Sequence, residues 1–295
     1  MNTPIEISNL ADYINQIDQI TDPEKSYLYR GQENEAWRVT SSAYRRLEKQ
    51  TETGTSEQQS DTETDLLLET ESNIEPNLLT DLFVGYLTQI VDEVKLKYPS
   101  TYRDLTPLEC MAHLQHNRVA TGLIDFTFSP LVALWFACGN RENTNGKVFV
   151  LENDNDQIKE ITTLESLQRD LDVFFATDQA QWYLWTPTLD SRAVDIQRMT
   201  TQQSAFLFGM PEVETGMIAH EIVVRTDRKE NLRIALEKLG ISEKTLFSDL
   251  LGFFERNSHN QPYDRTLTEP YYGGTRDEEH TNQSGQNPPQ LLSTR

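Results

Sequence analysis

The sequence predicts an α+β domain with a small, mainly antiparallel or split sheet flanked by helices. Three observations support this. Helical and strand patterns interleave irregularly, without the alternating rhythm of βαβ units. No internal repeat is present. The 295 residues are 37% hydrophobic, enough for a real core diluted by polar segments that do not join it. The expected organisation is an N-terminal helical extension over 1–25, a main domain over 26–255 interrupted by an acidic insertion at 48–76, and a disordered tail over 256–295.

Ser8 reads as the N-cap of a first helix with Leu10, Tyr13, Ile14 and Ile17 on one face. A strand follows over Tyr27–Tyr29 and ends at Arg30-Gly31. The 48–76 stretch is rich in Thr, Ser, Gln, Glu and Asp and reads as a mobile loop. Leu79, Leu82, Phe83, Tyr86, Ile90 and Val94 then repeat at helical spacing, giving a helix over 78–97. Thr106-Pro107-Leu108-Glu109 is a capping box with proline at the first helical position, and it opens a helix to about Asn117. Leu123–Phe126 is a short buried strand. Ser129-Pro130 caps a mostly buried helix over Leu131–Cys138, and Gly146–Leu151 is a strand. No assignment emerges for 160–200. Ala205–Phe208 and Ile218–Val224 are strands. Asp227–Leu239 and Ser242–Glu255 are two closing helices joined at Gly240 as a helix C-cap.

The formal charge of -21 argues against non-specific binding to a nucleic-acid backbone. It leaves room for a local cationic cleft, because a small anion needs only one or two cations. Cys110 and Cys138 lie in apolar stretches and read as buried small hydrophobes, not as a disulfide or a reactive thiol. The first 22 residues lack an apolar signal core. The longest apolar run, Leu131–Cys138, is far short of the roughly 20 residues that span a bilayer. The expectation is a soluble, cytoplasmic protein with no membrane partner.

Three clusters place polar groups where chemistry fits. Arg30 at a strand end offers a fork for a phosphate or carboxylate, and Gly31 lets backbone approach a ligand. The plainer alternative is a structural arginine paired with a carboxylate such as Asp125. Asp125-Phe126-Thr127-Phe128-Ser129-Pro130 joins a strand to a helix N-terminus, whose free N–H groups suit an anion or a polar ring amide. Ser129 serves at least as the N-cap. The third cluster is Arg198 to Phe206, where Gln202 and Gln203 precede an apolar strand; a glutamine there is otherwise simply solvated. His113 and His116 share one helix at a three-residue spacing. No carboxylate or third histidine completes a metal pattern such as HExxH, so no metal is expected.

These residues carry a resemblance. Tyr29-Arg30-Gly31-Gln32, Trp37, Arg45 or Arg46, His113-Leu114-Gln115-His116, the run from Thr121 through Asp125-Phe126-Thr127 and Ser129-Pro130 to Ala137, and Arg198 with Gln202, Ser204 and Phe206 follow one another as in the FRG family. That family is named for its (Phe/Tyr)-Arg-Gly motif, and the resemblance covers roughly residues 26–255. One departure stands out, since Gly122 occupies a position where the family usually has arginine. The order of motifs is also similar to that of ADP-ribosyltransferases of the Arg-Ser-Glu class. That similarity implies NAD as substrate, with Arg30 holding its pyrophosphate or ribose and Thr127 and Ser129 ordering the nicotinamide-ribose side. Gly31 and His116 join the NAD-binding set, and Gln202 stands where those enzymes place a catalytic glutamate. The implied catalytic residues are Gln202, Arg30 and Ser129.

Cleavage of the nicotinamide–ribose bond passes through a cationic transition state that a carboxylate stabilises. Gln202 has no charge to offer, so Asp125, Asp195 and Glu212 are the candidate acids. The implied activity, ADP-ribosyl transfer or NAD hydrolysis, fits a bacterial toxin or phage-defence effector. The acceptor, protein or nucleic acid, is left open. The rival reading is a non-catalytic module that binds a nucleotide or peptide in the same cleft.

Overall fold

An eight-stranded sheet organises the chain, in the order β1-β8-β4-β2-β3-β7-β6-β5. Its strands are β1 (Ile5–Glu6), β2 (Tyr27–Gln32), β3 (Ile124–Thr127), β4 (Gly146–Glu152), β5 (Ile158–Ile161), β6 (Trp182–Trp185), β7 (Ser204–Phe208) and β8 (Ile218–Val224). The helices are α1 (Leu10–Ile20), α2 (Ser42–Gly54), α3 (Pro76–Lys97), α4 (Pro99–Tyr102), α5 (Pro107–His116), α6 (Pro130–Ala137), α7 (Ile196–Thr201), α8 (Thr226–Lys238), α9 (Glu243–Leu246) and α10 (Leu250–Arg256). The computed structural model describes residues 4–54, 76–139, 143–153, 157–161, 182–186, 196–209 and 212–260. Residues 1–254 form one compact unit, and 255–295 a second of which only 255–260 are described.

The α+β expectation holds. The sheet is antiparallel through its centre and parallel only at its two edge pairs, β1 with β8 and β5 with β6. It has more strands than the sequence made visible, because β1 is two residues long and β5 and β6 lie in or beside the stretch that gave no clear period.

Alternation along the strands sends one set of side chains to each face. On one face Tyr29, Val148, Val150, Ile222 and Val224 meet α1, α6 and α8. On the same face Leu123, Phe206, Phe208 and Trp185 meet α2, α3 and α5. The other face carries Leu28, Ile124, Phe126, Phe149, Leu151, Ala205 and Leu207. Two helical groups therefore share one side of the sheet, and the seam between them runs over β2 and β3.

At that seam the sheet is nearly split. Six residues of β2 pair with β4, and four residues of β3 pair with β7. Between β2 and β3 the ladder holds one pair, Tyr29 with Thr127.

Several local expectations change. The N-cap of α1 is Asn9, whose side chain accepts from the Asp12 N–H, while Ser8 N–H donates to the Asp12 carboxylate. β2 does not end at Arg30 but continues to Gln32, so Arg30 and Gly31 are strand residues. The start of the 48–76 stretch is helical to Gly54, and its centre, 55–75, lies outside the described residues, as does most of the expected tail. The last closing helix is broken into α9 and α10. Asp249 causes the break: its Oδ1 accepts from Gly252 N–H at 2.8 Å, a new N-cap inside the apolar run. The Thr106–Glu109 capping box of α5 and the Ser129 cap of α6 form as the sequence predicts.

Candidate functional site

A pocket of about 300 Å³ opens at the seam. It is lined by Tyr29, Arg30 and Gly31 of β2, Asp125, Phe126 and Thr127 of β3, and Ala112, Gln115 and His116 of α5. Val132 and Phe136 of α6, Arg198 and Met199 of α7, Gln202, Ser204, Phe206 and Phe247 complete the wall. Five aromatic rings thus surround a polar floor.

Arg30 spans the gap in the sheet. Its Nη1 donates to the main-chain carbonyl of Asp125 at 2.6 Å, a group that the β2–β3 ladder leaves without a backbone partner on that side. With the Gln32 amide turned to satisfy its neighbours, its oxygen accepts from Arg30 Nε at 3.1 Å. Burial pushes the Arg30 pKa below its usual value, with Asp125 opposing and the like charge of Arg45 adding to the shift. Arg45 is shifted down by burial as well, again opposed by Asp125. The structural alternative for Arg30 is therefore realised through the Asp125 backbone, with two of its three guanidinium nitrogens committed.

Gly31 serves a different end from the one its sequence suggests. A Cβ there would lie 1.8 Å from the Ala133 carbonyl oxygen and 2.8 Å from Ala137 N. The close approach that glycine permits is that of α6 to the sheet, not of a ligand. Gly146 on β4 does the same, with a Cβ falling 2.0 Å from the Ala137 carbonyl oxygen.

The Thr127 hydroxyl is also engaged. It donates to the Gln202 carbonyl at 2.6 Å and accepts from Ser129 N–H at 3.0 Å, which ties β3 to the start of β7 and to α6. Ser129 does not line the pocket; its Oγ accepts from Val132 N–H at 3.3 Å as the α6 cap. Gln202 lines the pocket, and its Nε2 donates to the Leu246 carbonyl at 3.1 Å. So Arg30, Gly31, Thr127, His116 and Gln202 converge on one cavity and Ser129 stands behind it.

Of the three candidate acids, Asp125 lines the pocket with an exposed carboxylate whose Oδ1 accepts from Gln115 Nε2 at 2.6 Å. Gln115 is held in turn by the Thr121 hydroxyl, which donates to its Oε1. Glu212 pairs with Arg38 at 2.8 Å away from the pocket lining, and Asp195 lies outside the described residues. Gly122 is packed against α3: a Cβ would meet Leu87 Cδ1 at 2.7 Å and Phe83 Cζ at 3.2 Å. An arginine has no room there, and Asp125 takes its cationic neighbours from Arg30 and Arg45 instead.

Sequence reasoning missed a buried carboxylate. Asp249 is 3% exposed and is met by the nitrogens of two side chains, Arg198 and His116. His116 Nε2 lies 3.0 Å from its Oδ2, and Arg198 Nη2 donates to its Oδ1 at 3.1 Å. Arg198 Nε sits 2.9 Å from Oδ2 as an ion pair without the alignment of a hydrogen bond. The Arg198 guanidinium also lies over the Phe247 ring, 4.6 Å from its centroid. The one sequence signal for this cluster was Ser-Asp in the middle of an otherwise apolar helical run.

The fold and pocket define the class: a mixed-sheet α+β protein whose cavity, aromatic-walled with several charged and amide side chains, lies at a near-split in the sheet. Residues 25–146 match the family model of the FRG domain. No curated protein and no solved structure matches the chain. The matched stretch contains β2, β3, α5 and α6, while Arg198, Gln202, Phe247 and Asp249 come from sequence beyond it. Among the described residues no group of three or more His, Cys, Asp or Glu could hold a metal, and no helix is long and apolar enough to cross a membrane.

Proposed function

We propose that the pocket binds a nucleotide, with NAD the substrate tested first, and that Asp125 supplies the carboxylate for cleaving the nicotinamide–ribose bond. The observation that carries this reading is the placement of one exposed carboxylate, Asp125, in an aromatic-walled cavity beside Arg30 and Gln202. In the reaction the C1′–N bond breaks and its electron pair leaves on nicotinamide. Water or an acceptor nucleophile then bonds to C1′ and releases one proton. A fixed negative charge close to C1′ lowers the barrier by stabilising the developing cation. Gln115 holds Asp125 in one orientation, so little reorganisation is needed when that charge forms.

The test is incubation with NAD labelled on the adenine side, with nicotinamide release and labelled product followed together. Release by the wild type that falls about 10²–10³-fold in Asp125→Asn is the expected result. Absence of both NAD binding and nicotinamide release in the wild type overturns the proposal. A second reading, binding without turnover, is favoured by Gln202, which is uncharged and whose amide is already given to Leu246. Tight NAD binding by calorimetry with no nicotinamide release would select it.

A further inference from the structure

We infer that the pocket holds a phosphate group at Arg198, with Asp249 and Phe247 as the residues that aim the guanidinium. The inference rests on the nucleotide reading above and moves the anion site away from Arg30. Two of the three Arg30 nitrogens are spent inside the protein, on the Asp125 carbonyl and on Gln32. Arg198 is arranged differently. Two of its nitrogens are engaged as well, but both by one carboxylate: Asp249 accepts a hydrogen bond from Nη2 and pairs as an ion with Nε, which turns Nη1 away from it. The Phe247 ring lies under the guanidinium plane at 4.6 Å and fixes its tilt. Arg198 remains in the pocket wall, and His116 Nε2 approaches the same Asp249 oxygen, Oδ2, as Arg198 Nε does.

Both anchors are tied into the fold. Asp249 is 3% exposed and also caps α10, so its position is set by the main chain. Phe247 lies in the break between α9 and α10 and lines the pocket, and Gln202 Nε2 holds the adjoining Leu246 carbonyl. A guanidinium held on one edge and one face presents its remaining edge in a single direction, which suits a tetrahedral oxyanion better than a flexible surface cation does. Burial of Asp249 between two nitrogen donors also means that this corner carries one carboxylate for two cationic side chains whenever His116 is protonated.

Nicotinamide mononucleotide and nicotinamide riboside differ by one phosphate and form the matched probe pair, with binding followed by calorimetry on the full chain. The wild type is expected to favour the mononucleotide by about tenfold or more, the scale of one hydrogen-bonded charge pair. In Arg198→Met the two ligands bind equally. In Arg198→Lys the preference falls to a few-fold, and in Asp249→Asn it falls while riboside affinity changes less. Thermal melting checks that each variant folds; if Arg198→Met does not, Arg198→Lys carries the comparison. A preference that survives intact in the folded Arg198 variant, or that disappears only in Arg30→Met, overturns the inference. Riboside binding with no mononucleotide preference in the wild type sinks it while leaving the nucleotide reading standing. Binding of neither ligand removes both.

Discussion

Arg30 Nη1 donates to the Asp125 main-chain carbonyl at 2.6 Å and so bridges β2 and β3 where their ladder has dwindled to the single pair Tyr29–Thr127. The side chain replaces a missing rung of the sheet. Removing it strands the carbonyl and separates the two halves of the pocket floor. Arg30→Met is expected to lower stability by about 1.5–3 kcal/mol, the worth of a hydrogen bond from a charged donor. Arg30→Lys recovers only part, because an ammonium cannot serve Asp125 and Gln32 from one planar fork. Urea denaturation of the three proteins measures this. Unchanged stability with lost ligand binding would assign Arg30 to the ligand instead.

Much of this floor was legible in the sequence, and the reasons are local. Thr106 to Glu109 announces α5 because the capping box is a closed four-residue device, and Ser129-Pro130 announces α6 in the same way. The pairing of β2 with β3 and the burial of Asp249 are not local. Arg198 and Asp249 are 51 residues apart, and His116 joins them from another helix. Their convergence depends on where α7 and the α9–α10 break fall, which no short pattern encodes. β5 and β6 stayed hidden because they lie in or beside the 160–200 stretch, which carries no clear period.

Gly31 sets how closely α6 lies on the sheet. An added methyl group would fall 1.8 Å from the Ala133 carbonyl oxygen, a backbone atom that cannot rotate aside. Gly31→Ala is therefore expected to cost about 3 kcal/mol or more, at the upper end for an overpacked core. Gly216, where a Cβ would meet nothing within 4 Å, is the control, and Gly216→Ala should change the melting temperature little. Equal melting of the two variants would show that α6 can shift without loss.

The two thiols make the protein sensitive to alkali. Burial pushes Cys110 up to about 11 and Cys138 up to about 12, and it raises Tyr13 as well. The unfolded chain releases these protons earlier than the folded one does. Stability from these groups is thus complete below about pH 9 and is lost as pH rises through the folded values. Burial raises Tyr29 and Tyr102 too, in the same sense, while Lys229, whose ammonium burial pushes down, works in the opposite direction. Chemical denaturation at pH 8 and pH 10.5 should show the lower stability at pH 10.5. Neither thiol should react with an aromatic disulfide at pH 8 until the chain unfolds.

Gln202→Glu is the substitution that the proposed NAD chemistry invites next, since it adds a carboxylate to the pocket wall. The geometry argues against a gain. Gln202 Nε2 donates to the Leu246 carbonyl at 3.1 Å, and a carboxylate in its place would set two acceptors against each other. The main chain at Leu246 leads directly to Phe247 and Asp249, so the repulsion loosens the wall that holds Arg198. Gln202→Glu is expected to lose about 1–3 kcal/mol of stability and to release nicotinamide no faster than the wild type. Asp125→Asn, by contrast, should keep most of its stability and lose turnover, because that carboxylate is exposed and bonded to Gln115 alone among neutral side chains. Melting curves and nicotinamide release from the two variants, measured together, decide between them. Faster release by a stable Gln202→Glu protein would return the catalytic role to position 202 and take it from Asp125.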